Sequence, residues 1–385
     1  MSTPLPRAEF AVTGHCAYLN HAAVGVLPRS TREAIDGFVD AHAQGGVLGV
    51  LPYEQRLPEF RARIGAAINA AGSQIAILRN TGDGATILAQ GLDWREGDEV
   101  LLCDDEFPSN VYPWLALRRR GVVVRFVETA RGRLEPDVLR RSLSSRTRVV
   151  ALSWVSFSDG YRHDLAALAQ VAHKDGALLV VDAIQGLGAF PLDVAAMEID
   201  ALYAGGAKWL LALQGVSFLY LRADLLDRVG LALPGWRSAE QMWDFLDYEQ
   251  PMRSDASRYE GGTPNLVGAL SLASSLDLLE RSGIEAIARH ILSLGDRLCE
   301  GLQRAGARLS TIRGPRCSSG IVTFSIPGFD SVELGRMLAQ AGVVTTWRPN
   351  GIRVSPHGYS NAAEIDLLLD ALADAGEGIR CFTSP

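Results

Sequence analysis

The chain has 385 residues, 48% hydrophobic and 21% charged, with a formal net charge of −7. That length exceeds one simple core and suits a large domain with a smaller one attached. A mildly acidic balance without a basic run argues against a nucleic-acid surface.

No apolar stretch reaches the length of a membrane span, and the N-terminal residues MSTPLPRAEFAVTGHCAYLN hold no signal-peptide core. The cytoplasm is the expected compartment. Cys16, Cys103, Cys299, Cys317 and Cys381 are odd in number, widely spaced and without a CxxC, as expected of reduced thiols. The seven histidines lack metal-ligand spacing, so no metal is expected.

Strand-like and helix-like segments alternate through most of the chain. A short apolar strand at 75–78 precedes a helical pattern over 83–92. A strand at 99–103 precedes an expected helix over 108–120. Valine-rich runs at 122–127 and 148–153 suit buried strands. The segment 164–174 reads as a helix with Leu165, Leu168, Ala169 and Ala172 on one face, ended by Gly176. The apolar run 177–181 reads as a strand buried on both faces, and strands follow at 201–204 and 216–221. This alternation predicts a mostly parallel sheet covered by helices. The pattern changes near 261–264. Helices are expected over 266–281 and 284–304, then strands at 321–326, 343–346 and 352–355. One further helix falls between the first two strands and another starts at Ala362. These make an α+β unit of about 120 residues. The expected division is a large domain over 15–265 and a small C-terminal domain over 266–385, with the segment 1–14 packed on one of them.

Two residues stand out inside VVDAIQGLGAFPLDVAAMEIDALYAGGAKWLLALQG. Asp182 ends an apolar run, at the edge where parallel sheets bind ligands, and a buried carboxylate there needs a partner. Lys208 lies among Gly205, Gly206, Ala207, Trp209, Leu210 and Leu211. Desolvation there would lower its pKa and free the amine to attack an aldehyde; the alternative is a lysine whose tip reaches water.

The stretch resembles the signature of the class V aminotransferase family of pyridoxal 5'-phosphate enzymes, which includes cysteine desulfurases, kynureninases and isopenicillin N epimerase. Asp182, Gln185, Lys208 and Gly215 match in order and spacing. The resemblance covers about residues 15–375. It implies the pyridoxal-phosphate type I (aspartate aminotransferase-like) α/β fold, with Lys208 as catalytic lysine and covalent cofactor anchor. It also implies that Asp182 pairs with the pyridine nitrogen and that Gln185 contacts the phenolic oxygen. RNTGDGATILAQGL resembles the phosphate loop, with Thr81 and Gly82 at a helix start that favours an anion. DEFPSNVYPW places Phe107 where a side chain stacks on the ring. YLNHAAVGVLPRS resembles the substrate-lining segment, with His21 and Ala22. YEGGTPN places Thr263 where the family reaches the phosphate of a neighbouring subunit, implying a homodimer with shared sites. WRPNGIRVSPHGYSN places Arg353 on the substrate carboxylate, with Arg348 as a second contact.

Departures narrow the activity. The segment 345–351 lacks the nucleophilic cysteine of desulfurases, and Phe107 and Ala207 stand where those enzymes carry histidines. Gly205 stands where a polar phosphate contact is common. His21 and His357 remain as acid–base candidates, and Asp159, Tyr161 and Arg162 as pocket-lining ones, each explained equally by a turn or loop role. The expected function is transamination or β-elimination of the C–S lyase type on a small α-amino acid, with no nucleic-acid or membrane partner. The alternatives are an epimerase of the same family and a cofactor-binding protein without turnover.

Overall fold

The computed structural model describes residues 3–130, 132–348 and 351–383, with side chains as far as Asp374. The Cys381 side chain, residues 349–350 of the 345–351 segment, and residues 1–2 lie outside that description.

Strand β1 (Ala17–Tyr18) precedes helices Arg29–Gly45, Val47–Gln55 and Leu57–Ala66. The main sheet follows: β2 (Ile75–Leu78), β3 (Glu99–Cys103), β4 (Val123–Val127), β5 (Thr147–Ser153), β6 (Leu178–Asp182), β7 (Ala201–Gly205) and β8 (Ser217–Leu221). Its order is β2-β8-β7-β6-β5-β3-β4. Strands β3 to β7 pair in parallel, and β8 runs against both of its neighbours. The mostly parallel sheet expected from the alternation is present. Leu101, Val150, Leu152, Leu179, Val181 and Leu202 pack on one face, and Val100, Leu102, Val149, Ala151, Val180 and Tyr203 on the other. Burial on both faces is why these strands read as unbroken apolar runs.

Helices Leu266–Ser282 and Ile284–Arg304 lead into β9 (Arg308–Leu309), β10 (Val322–Ser325), β11 (Val343–Val344), β12 (Thr346–Arg348) and β13 (Gly351–Val354), before helix Ala362–Thr383. An antiparallel sheet of order β12-β13-β10-β9 forms there, over a core of Leu298, Leu302, Phe324, Ile352 and Ile365. Strand β11 pairs instead with β1, in parallel. The N-terminal segment is bound to this part of the chain: Leu5 N donates to Gly358 O at 3.2 Å, and Arg7 pairs with Glu364 at 2.9 Å.

Two expectations need correction. The segment 108–120 is not one helix; it is a 3-10 turn Pro108–Asn110, a single helical turn Tyr112–Leu115, and a 3-10 stretch Ala116–Arg120. Pro113 has no N–H to donate back to Ser109, so the first turn cannot run into the second. The strand expected at 343–346 is two strands in different sheets, β11 and β12.

Candidate active site

The site sits at the carboxyl edge of the main sheet, where β5 and β6 end side by side and β7 runs on to Gly205. Their register aligns Ser153 with Asp182 and Asp182 with Tyr203. Asp182 is therefore the last residue of the central strand of three adjacent parallel ones, at the edge where such sheets take ligands. It is 2% exposed, and one of its oxygens accepts from Ile184 N at 2.9 Å. Burial pushes its carboxyl up to about 6, against that hydrogen bond and the charge of Lys208.

Lys208 occupies the turn after β7. Gly25 crosses beneath it: Gly25 N donates to Ala207 O at 2.7 Å, and a Cβ on Gly25 would lie 2.0 Å from Lys208 O. Only glycine fits that approach. Three residues on, buried Leu211 holds φ 56, a left-handed conformation that a leucine adopts only where its surroundings impose it. The turn is thus fixed from both sides. Burial, with Arg353 and Arg348 behind it, brings the Lys208 amine down to about 8 against the pull of Asp182. Of the 37 basic residues only two are lysines, Lys208 and the exposed Lys174. An arginine cannot supply a neutral amine, so the sequence keeps lysine where amine chemistry requires it.

Arg353 comes from β13 and is 7% exposed. Its Nη1 donates to Phe157 O at 2.8 Å, while its Nε is buried without a partner. Burial, then Arg348, lowers its pKa to about 10. Among the described residues Lys208, Arg348 and Arg353 form no ion pair. A buried guanidinium without a carboxylate is a site waiting for an anion. The aromatic rings link these cations: the Arg348 guanidinium lies 5.5 Å from the Phe157 ring, Phe157 meets Phe107 edge-on at 5.4 Å, and Lys208 Nζ lies 5.5 Å from the Phe107 ring. Phe107 is 38% exposed, so its ring is available to a ligand.

Thr81 and Gly82 begin helix Thr81–Gly91, capped by the Asn80 side chain on Asp83 N at 3.0 Å. The helix is pressed onto the sheet at Gly84, whose absent Cβ would lie 2.8 Å from Tyr203 Cβ. A Cβ on Gly205 would lie 3.8 Å from the Thr81 methyl, which places the helix start beside the end of β7. Gln185 is buried between Ala22 O, to which its Nε2 donates at 3.0 Å, and the Trp209 indole, from which its Oε1 accepts at 2.9 Å.

Other expected residues support this centre from behind or lie outside it. His21 is fully buried; one ring nitrogen meets Ser355 O at 3.1 Å and the other the Tyr359 hydroxyl at 3.0 Å. His357 is fully buried too, with Nε2 on Trp209 O at 3.0 Å and Nδ1 accepting from Gly358 N at 2.7 Å. Burial lowers both, His357 to about 4. They are neutral supports under the Lys208 turn, with no nitrogen free for proton transfer. Ala22 is buried and contributes its backbone, its N donating to Ser355 Oγ at 2.9 Å. Thr263 is exposed and its hydroxyl has no partner among the described residues. Asp159 is neutralised by Arg133 at 2.7 Å, and Tyr161 and Arg162 line a separate cavity of about 420 Å³ together with Cys317.

Sequence reasoning missed half-buried Glu106 and buried Asn110, Ser153 and Tyr203, a polar group around Asp182. The signal was present: Asp104-Asp105-Glu106 directly follows the apolar strand β3, and a carboxylate run at that edge needs a reason.

Residues 17–365 match the family model described as Aminotransferase class-V. A probable cysteine desulfurase of Methanothermobacter thermautotrophicus is 28% identical, over 98% of this chain and 99% of its own. The apo structure of a cysteine desulfurase from Thermococcus onnurineus superposes with TM-score 0.89 at 25% identity, covering 98% of this chain and all of that one. A cystine C–S lyase in complex with its product cysteine persulfide superposes with TM-score 0.87 at 26% identity, covering 93% and 97%.

Proposed function

The chain belongs to the class-V aminotransferase family, and from that premise we propose that it is a lyase that breaks a carbon–sulfur bond in a small α-amino acid, with cystine as the favoured substrate. With the family come the type I α/β architecture, pyridoxal 5'-phosphate as cofactor and enzymatic action on an amino acid. The observation that carries the reading is Arg353: a buried guanidinium without a carboxylate, facing a lysine whose amine burial brings to about 8.

The residues fit the cofactor. Bound pyridoxal phosphate supplies an electron sink that makes the α-proton of an amino acid removable. Lys208 would anchor it, Asp182 would hold its ring nitrogen, and Phe107 would cover one ring face. The second amide hydrogen of Gln185 would reach its phenolic oxygen. Thr81 and Gly82 would supply N–H groups to its phosphate. Once free, Lys208 Nζ takes the α-proton. With a pKa near 8, roughly a tenth of the amine is neutral at pH 7. Arg353 orients the substrate through a two-point grip on its carboxylate, and Arg348 adds charge at the rim.

Phe107 cannot protonate a leaving sulfur, and His21 and His357 are sealed below the site. A leaving group that departs as a stable anion suits this arrangement, and a persulfide leaves more readily than a thiolate. The balanced reaction is cystine plus water giving cysteine persulfide, pyruvate and ammonia. No thiol acceptor is needed, which suits a 345–351 segment without cysteine and a Cys317 that lines the Tyr161 cavity.

We extend the proposal to a homodimer in which Thr263 reaches the neighbouring site. It is supported by the exposed, unengaged Thr263 and by exposed Val47, Leu48, Trp243, Phe245, Leu246 and Tyr248. We assign 15–265 to the cofactor and 266–385 to the domain that carries Arg348 and Arg353. The described residues contain no helix long and apolar enough to cross a membrane. Free thiols at Cys16, Cys103, Cys299 and Cys317 support a cytoplasmic location. The test is an amino-acid panel with the purified holoprotein, following pyruvate, ammonia and persulfide. Pyruvate and persulfide from cystine without added thiol are expected. Amino transfer to a second keto acid, with no pyruvate from cystine, would replace elimination by transamination.

A further inference from the structure

We propose that Glu106 is a positioning residue that locks Ser153 of β5 and Tyr203 of β7 into a frame around Asp182 and so sets how the site holds its cofactor. The inference rests on the cofactor reading above. Glu106 immediately precedes Phe107. Its Oε1 accepts from Ser153 N at 2.6 Å, and its Oε2 accepts from Ser153 Oγ at 2.7 Å and Asn110 Nδ2 at 3.0 Å. The Tyr203 hydroxyl in turn donates to Asn110 Oδ1. Ser153 and Tyr203 are the register neighbours of Asp182 on either side. Glu106 and Asn110 therefore bridge over Asp182 from one flanking strand to the other. The same segment carries the ring of Phe107, so one carboxyl group fixes both an acid and an aromatic face.

Nothing in the mechanism uses Glu106, and a buried carboxyl group without a cation is costly unless fully hydrogen-bonded. Three donors meet that need in the ionised form. Burial opposes it and Asp182 adds repulsion, and together they raise the Glu106 carboxyl to about 7. The titratable groups facing it are Asp182 on β6, Tyr203 on β7 and Cys103 on β3, with Asp104 and Asp105 in its own loop. Asp182, which repels Glu106, is also the carboxylate that pulls on Lys208.

Glu106→Gln keeps the shape but turns an NH2 group against at least one of the three donors. Tyr203→Phe cuts only the far arm and leaves Glu106 in place. The test is a pH titration of the visible absorbance of the bound cofactor, with cofactor affinity measured from fluorescence quenching of the stripped protein. Glu106→Gln is expected to move the spectral midpoint by about half a pH unit or more and to weaken the cofactor about tenfold, the scale of one lost charge-assisted bond. Tyr203→Phe should move the midpoint the same way by less. If Glu106→Gln fails to fold, Tyr203→Phe still decides. Unchanged midpoints and affinities within twofold, with the wild type titrating normally, would overturn this inference alone. A wild type that holds no cofactor would overturn the reading beneath it.

Discussion

Arg353→Met offers an uncommon combination: a large loss of function with no loss of stability. Methionine keeps the apolar stem and removes the charge. In the proposed complex the guanidinium makes two charge-assisted hydrogen bonds to the substrate carboxylate, each about 1.5–3 kcal/mol. Losing about 3 kcal/mol lowers kcat/KM roughly a hundredfold or more, since each 1.4 kcal/mol is about tenfold. The stability side runs the other way. The depressed value near 10 still lies above neutral pH, so the guanidinium stays charged in the folded chain. The cost of burying it is present throughout the working range and is relieved only above that value. At about 1.4 kcal/mol per unit, that cost is on the order of 3 kcal/mol. Against it stands one bond to Phe157 O, worth roughly 1 kcal/mol. Thermal melting of the holoprotein should therefore give a Tm equal to wild type or a few degrees higher. Steady-state kinetics on the best substrate should show the hundredfold loss. A Tm lowered by many degrees with kcat/KM intact would show that Arg353 supports the fold rather than the substrate.

Other consequences follow from the same geometry. Thr263→Ala should weaken cofactor retention by about 1.5–3 kcal/mol without unfolding the chain; in sedimentation, a stable monomer that keeps the cofactor as well as a dimer does would rule out the shared site. Cys317→Ala should retain near-wild-type turnover, and a large loss with cofactor still bound would reinstate a thiol carrier. His357→Asn should lower Tm yet leave the shape of the pH–kcat/KM profile intact, and a vanished limb would make the histidine an acid–base group. The same variant should lose less stability on acidification. The folded chain holds His357 neutral to about 4 while the unfolded chain takes up its proton near 6.5, so stability falls as pH drops through that window.

The chain order of strands was readable where burial is two-sided. Strands β2 and β3 coincide with the expected 75–78 and 99–103 because residues 75–78 and 100–103 are apolar and buried throughout. The helices over 29–55 left no comparable trace. Arg29–Gly45 fully buries only Thr31 and Val47–Gln55 fully buries no residue; Ala34, Phe38, Val50 and Tyr53 touch the core only half-buried, too thin a stripe to read. The split of 343–346 was hidden for a different reason: β11 finds its partner more than 300 residues away, in β1.

At the site, the motif residues Asp182, Lys208 and Arg353 could be named because their chemistry dictates the residue type. Glu106 could not, since its role depends on Ser153 and Tyr203 arriving at one register across the sheet. The histidines are the converse case. His21 and His357 sit in matched segments, but only the fold shows that two backbone carbonyls, the Gly358 amide and Tyr359 occupy their nitrogens.

The central claim is that Lys208 holds the cofactor, and the composition makes its test binary. Borohydride reduction of the holoprotein followed by peptide mapping has two lysines to choose between, buried-side Lys208 and exposed Lys174. The account predicts the cofactor on the Lys208 peptide alone, and no labelled peptide from Lys208→Ala. A label on Lys174, or an unlabelled wild-type chain that still turns over amino acids, would contradict it.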